Sequence, residues 1–301
     1  MNSKILVVGS SNTDMTVKTK ELPRPGETVL GGVFTMGGGG KGANQAVAAR
    51  RLGGDVSFFC KVGKDIFGDN SLRSYEAEGI DTSLVKRSGE PSGVALITVD
   101  GHAENCIVVA SGANADVTEE DIEEIRPALE KCDILLLQLE IPVPAVCKAA
   151  CIAHKAGATV VLNPAPACDL PEELFSCLSL FIPNETELSR FSGMQVTDVE
   201  SAGKAAAILR AKGVGDVIVT LGSKGSLICT RGGETLVPAC KVEAVDTTAA
   251  GDTYCGALCV ALGEGKGLEE AARFASKASA ITVQRMGAQA SIPSRQEVDN
   301  Q

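Results

Sequence analysis

Residues 134–162 read ILLLQLEIPVPAVCKAACIAHKAGATVVL, and this stretch decides the fold. Ile134–Leu137 is a short, continuous apolar run, the pattern of a strand covered on both faces. Val143–Ala156 has the length and composition of a helix, and Thr159–Leu162 is a second apolar, β-branched run. Strand, helix and strand within about 30 residues make a crossover unit that joins parallel strands.

The same alternation extends outward. Lys4–Val8 is a β-rich run ending at Gly9, and Ala43–Leu52 is an alanine-rich helix. Strand Val56–Cys60, helix Asp69–Glu78, helix Thr118–Leu129 with a Thr-x-x-Asp cap, short strand Leu180–Ile182, helix Ser201–Lys212 and strand Val217–Leu221 complete the pattern. The expected fold class is α/β, a three-layer α/β/α body around a mainly parallel sheet. Ligands in such sheets bind beyond the strand C-termini.

Two patches break the alternation. Asp14–Lys18 and Glu27–Met36 are mixed-polarity segments punctuated by Pro23, Pro25, Gly26, Gly31 and Gly32, and Val94–Val99, Asp100-Gly101 and Glu104–Val109 read as a hairpin. Together they predict a small β lid, residues 14–40 and 93–112, on a body of residues 1–13, 41–92 and 113–301. Gly37–Gly40 and Gly93 sit where the lid would hinge.

Composition excludes several function classes. A net charge of −10 argues against nucleic acid and anionic membranes as partners. An anionic ligand would then need a local device, such as the backbone amides of a helix start. The eleven cysteines lack paired zinc-type spacing and read as free thiols of a reducing compartment. Met1 leads directly into the first strand without a signal-peptide pattern, and no apolar run approaches about 20 residues, so the expectation is a cytosolic protein. Tryptophan is absent and aromatic residues make up 3%, so ligand specificity must come from polar side chains.

The strongest local signal is Asp246-Thr247-Thr248-Ala249-Ala250-Gly251-Asp252-Thr253, ahead of the small-residue helix Gly256–Leu262. A helix opening on Ala249, Ala250 and Gly251 offers amides and a positive dipole end to a phosphoryl group. Asp252 alone would be an ordinary first-turn acid. Beside such a nest, with Asp246 preceding it, it reads as a general base for a hydroxyl nucleophile.

Gly37-Gly38-Gly39-Gly40-Lys41-Gly42-Ala43-Asn44 is not a P-loop, because Gly42 stands where Ser or Thr must follow the lysine and Met36 where the first glycine is needed. It is either a flexible hinge or a grip on hydroxyl groups. Asn12 and Asp14, beyond the first strand, and Gln138 and Glu140, beyond Ile134–Leu137, occupy ligand positions that turn formers also favour. Asn184 is a helix N-cap or, with Glu187, a magnesium-ordering pair. Thr220-Leu221-Gly222-Ser223-Lys224-Gly225 would admit a nucleotide against backbone or simply turn. His102 and His154 have no metal partner and read as structural or surface residues.

Together these segments resemble the ribokinase family of carbohydrate kinases, from Gly9-Ser10-Ser11-Asn12-Thr13-Asp14 to Arg285-Met286-Gly287-Ala288-Gln289-Ala290-Ser291. The resemblance implies a homodimer formed through the lid and conversion of ribose to ribose 5-phosphate with Mg-ATP. Carried over by position, it implies that Asn12, Asp14, Gly40, Lys41, Asn44 and Glu140 hold the sugar. Asp252 is the implied base, and the Ala249, Ala250 and Gly251 amides stabilise the phosphoryl. Asn184 and Glu187 would arrange magnesium through water, and Asn184, Thr220, Gly222, Ser223, Gly225, Gly251 and Ser276 would line the nucleotide. Asp246, Thr248, Thr282, Arg285, Gly287 and Ser291 match a potassium site. Gly38 and Ser276 stand where relatives often carry larger side chains. A sister kinase for deoxyribose, fructose or a nucleoside is the nearest rival. A non-catalytic sugar-binding regulator should have lost Asp252 or the glycine of the nest, and a nucleotide-dependent dehydrogenase would carry a glycine fingerprint that is missing here.

Overall fold

Neighbouring residues of Ile134–Leu137 serve different cores. Leu135 and Leu137 join Leu6 and Val8 in one apolar cluster, built with helices Glu119–Glu124, Val143–Ala156 and Val199–Ala211. Ile134 and Leu136 join Ile5 and Val7 in the other, built with helices Lys41–Arg51, Ala250–Gly263 and Leu268–Thr282. Successive strand side chains point to opposite faces, so a sheet with helices on both sides needs apolar residues at every position. That requirement is why the strand carries no polar alternation.

The computed structural model describes residues 3–102 and 104–301. Among the described residues the main sheet has eight strands, in the order Gly233–Val237, Ser226–Thr230, Asp216–Thr220, Leu180–Phe181, Thr159–Leu162, Ile134–Leu137, Lys4–Val8 and Asp55–Phe59. The last six run parallel, and the first two add an antiparallel hairpin at one edge. Among the described residues no helix is long and apolar enough to cross a membrane, and all eleven cysteines are free.

A second sheet has the order Val33–Gly39, Asn12–Lys18, Gly93–Val99 and Asn105–Ala110. Its central pair is parallel and its two outer pairs are antiparallel. This sheet takes in Asn12 and Thr13, so the division drawn at residue 14 moves two residues toward the N-terminus. The expected strand Glu27–Met36 begins only at Val33 and continues to Gly39. Gly37–Gly39 are therefore paired strand residues rather than a hinge, with Gly39 opposite Asn12.

These glycines are needed for close approach. A Cβ on Gly39 would strike the Asp14 carboxylate, and one on Gly42 would strike the Gly9 and Ser10 backbone. The helix expected over Thr118–Leu129 breaks at Ile125 into Glu119–Glu124 and Arg126–Leu129, because Pro127 has no N–H to donate back along a continuous helix. The Thr118–Asp121 capping box forms as the spacing predicts.

Candidate active site

The helix Ala250–Gly263 starts from an unusual turn. Ala249 lies at φ 59°, the only non-glycine residue with positive φ among the described residues. An alanine held there costs roughly 1–2 kcal/mol. The turn carries Asp252 into the cleft while Ala249 and Gly251 present amides with no protein acceptor among the described residues. The expected trio of amides is reduced to two, because the Ala250 N–H donates to the Thr247 carbonyl at 3.2 Å. Asp252 is buried, at 6% exposure, yet faces polar groups. Asn44 Nδ2 donates to its Oδ2 at 2.9 Å and Gln45 Nε2 to its Oδ1 at 3.0 Å.

Helix Lys41–Arg51 supplies both donors, and its start packs against the first strand. Ala43 N donates to the Ser10 carbonyl at 2.9 Å, and Gly42 N to Ser10 Oγ at 3.3 Å. The Glu140 carboxylate, beyond Ile134–Leu137, accepts from Lys41 N at 2.9 Å and from the Ser10 hydroxyl. Asn12 and Asp14 enter from the small sheet, and Asn12 Oδ1 accepts from Asn114 Nδ2 at 2.7 Å. Asn44 Oδ1 is buried without a partner. An orphaned acceptor in a polar cleft is a place for a ligand hydroxyl.

Three carboxylates act on one ammonium. Burial pulls the Lys41 pKa down, but Asp252, Glu140 and Glu187 together outweigh it and hold Lys41 above its ordinary value. Burial pushes Asp14 up to about 6, with repulsion from Glu140 and Asp252 adding to it. Burial also raises Glu187, against the opposing Asn184 N–H and Lys41 charge. The cleft thus offers a fixed cation and several hydrogen-bond acceptors, a set that matches a small polyhydroxyl compound.

Farther along the same sheet edge, Asn184 and Glu187 form a reciprocal capping box at 2.8 and 2.9 Å. The cap reading of Asn184 is therefore correct as far as it goes, and it leaves Glu187 Oε1 uncommitted among the described residues. Thr220 bridges to Asn184 and donates its N–H to the Pro183 carbonyl at 2.9 Å. Gly222 and Ser223 sit in one exposed 3-10 turn, and Gly225 closes it at φ 105°. Ser276 is buried inside helix Leu268–Thr282.

Asp246 ties two loops together. Its Oδ1 accepts from Thr248 N and Oγ1 at 2.9 and 2.6 Å, and its Oδ2 from Gly287 N at 2.8 Å. Burial works against this carboxylate, but the Thr248 and Gly287 bonds hold its pKa below the usual range. Thr282 bonds to Thr253, Ser291 to the Ala288 carbonyl, and Arg285 pairs with Glu297. Among the described residues no three His, Cys, Asp or Glu side chains cluster as metal ligands, so a cation in these loops would rest largely on backbone carbonyls.

Sequence reasoning missed Ser10, Gln45, Asn114 and Asn163. Gln45 and Asn163 were within reach: one adjoins Asn44, and the other directly follows strand Thr159–Leu162, at the edge where ligands bind. Ser10 and Asn114 act through contacts about 100 residues away in sequence, which no local pattern signals.

The chain resembles proteins of known activity along its whole length. It is 44% identical to a ribokinase of Haemophilus influenzae over 99% of this chain and 97% of the relative. It is 41% identical to a deoxyribokinase of Salmonella typhi over 96% and 95%. The structure superposes on a ribokinase of Arabidopsis thaliana, solved as a complex with ribose and ATP, with a TM-score of 0.92 at 34% identity, covering 100% of this chain and 98% of that one. The profile of the pfkB family of carbohydrate kinases matches residues 2–295, and with the paired sheets, the Asp252 turn and these full-length relatives it places the chain in that family.

Proposed function

We propose that the protein transfers the γ-phosphate of ATP to O5 of D-ribose, giving ribose 5-phosphate and ADP. One observation carries this reading: a carboxylate, Asp252, stands at the positive end of a helix whose free amides face the same cleft as Asp14, Lys41, Asn44 and Glu140. Asn12, Asp14, Gly40, Lys41, Asn44 and Glu140 hold the sugar hydroxyls. Asp252 accepts the hydroxyl proton as the new O–P bond forms and the bond from the γ-phosphorus to the bridging oxygen breaks. The Ala249 and Gly251 amides and the helix dipole stabilise the charge on the phosphoryl in transit. Thr220, Gly222, Ser223, Gly225 and Ser276 line the nucleotide.

Magnesium fits the region of Asn184 and Glu187, where an uncommitted carboxylate oxygen is held in a setting that disfavours its own charge. Bound with ATP, magnesium neutralises phosphate charge, and these residues would hold it through water. A monovalent cation, potassium, fits the loops joined by Asp246, Thr248 and Gly287, with Thr282, Arg285 and Ser291 flanking them. Its charge would stiffen the turn that presents the amides.

The small sheet supports lid-mediated homodimerisation. Val108, Leu96, Met15 and Met36 lie abreast in one row, and Leu96, Val108, Met36 and nearby Phe34 are 51–62% exposed. An apolar face of this kind marks an interaction surface. A cytosolic setting accords with the free thiols.

The test is an ADP-coupled assay across pentoses, hexoses and nucleosides, with and without potassium. Ribose should give the highest kcat/KM and potassium should raise it. The Salmonella relative favours deoxyribose as a second reading, and a higher kcat/KM for 2-deoxyribose than for ribose would establish it over the first.

A further inference from the structure

Gln45 makes the less obvious contact to Asp252. It is fully buried, and its Nε2 divides between Asp252 Oδ1 at 3.0 Å and Asn163 Oδ1 at 3.1 Å. Its Oε1 accepts from Gln138 Nε2 at 2.6 Å. Asn163 Nδ2 in turn donates to the Ile182 carbonyl at 3.0 Å. Gln138, Asn163 and Ile182 each lie just past the C-terminal end of a neighbouring strand of the main sheet. The chain of bonds therefore runs from the rigid edge of the sheet to the carboxylate.

The bonds also fix a direction. Ile182 offers only a carbonyl, so Asn163 must turn its NH₂ toward it and its oxygen toward Gln45. Gln45 must then present NH₂ to Asn163 and Asp252, and Gln138 must donate to the remaining oxygen. A flipped Gln45 amide would set its oxygen against two acceptors, Asn163 Oδ1 and Asp252 Oδ1, which is repulsive. Asn44 donates its NH₂ to the other oxygen of Asp252, and its own carbonyl has no partner among the described residues.

We propose that Gln45, held in one amide orientation by Asn163 and supported by Gln138, is a positioning residue that aims the Asp252 carboxylate at the sugar hydroxyl. The proposal rests on Asp252 being the base. Asn44 serves sugar and base together, whereas Gln45 serves the base alone. Loss of Gln45 should thus leave sugar binding intact and slow the chemical step.

The experiment compares Gln45→Met and Gln138→Met with wild type. Gln45→Met should lower kcat by about 10–100-fold, as expected for loss of base alignment, with sugar Kd and KM within about threefold. Gln138→Met keeps both donors to Asp252 but leaves Gln45 Oε1 without its donor, loosening the amide, and should lower kcat in the same direction by less. A Gln45→Met enzyme with unchanged kcat overturns the proposal. So does a kcat loss matched by losses of sugar affinity and melting temperature, which marks a purely structural role. If Gln45→Met does not fold, unchanged kcat in Gln138→Met overturns it. Near-normal turnover of Asp252→Asn would instead refute the base assignment beneath it.

Discussion

Replacing Asp14 by Asn tests the electrostatics of the sugar pocket. Burial, with help from Glu140 and Asp252, raises the Asp14 pKa from 3.8 to about 6. A raised carboxylate pKa means that the folded state binds the proton more tightly than the unfolded chain. Stability attributable to this group is therefore highest below pH 3.8, falls as pH rises from 3.8 to about 6, and stays low above that. At about 1.4 kcal/mol per pKa unit, an ionised Asp14 costs the ligand-free fold about 3 kcal/mol at neutral pH, and water in the cleft reduces this. Asn keeps the shape without the charge. Asp14→Asn should thus raise the unfolding free energy by roughly 1–3 kcal/mol near pH 7.5 and by almost nothing near pH 4. Urea melts of both proteins across that pH range measure the difference, and calorimetry should show the variant losing most of its ribose affinity. The reasoning fails if the variant is less stable than wild type near pH 7.5, or if the stability difference does not change with pH.

Asp252→Asn should lower turnover by about 10²–10⁴-fold while changing ribose Kd much less, as read by steady-state kinetics and calorimetry. Gly42→Ala places a methyl against the Gly9 and Ser10 backbone, so it should destabilise by about 1–3 kcal/mol in chemical melts and raise ribose KM by displacing Lys41 and Asn44. Without ribose, ATP hydrolysis should be far slower than transfer, because a lidded site excludes water; equal rates would count against lid gating. Val108→Asp on the exposed row should convert a dimer to monomers in sedimentation, and an unchanged sedimentation coefficient would remove this face from the interface.

The layered architecture was legible because its signals are local. A strand buried on both faces must be apolar at every position, and Ile134–Leu137 says so without reference to the rest of the chain. The Thr118 cap, the Asp252 turn and the positions just past strand ends are likewise written in short stretches whose backbone demands are nearly independent of context. The glycine tract shows where that reasoning stops. Its residues are punctuation in sequence, but they are strand in the fold, because Asp14, brought alongside by pairing, needs the space above Gly39. Tertiary structure alone decided that Glu140 would anchor the start of helix Lys41–Arg51, that Asn44 and Gln45 would divide the two oxygens of Asp252, and that Asp14 would sit where its charge is costly. Each of these is a contact between groups about 100 residues or more apart, or a pKa set by what surrounds a group. Sequence specifies such pairings only through the whole fold, since hydrogen bonds and desolvation depend on distance in space and not on separation along the chain.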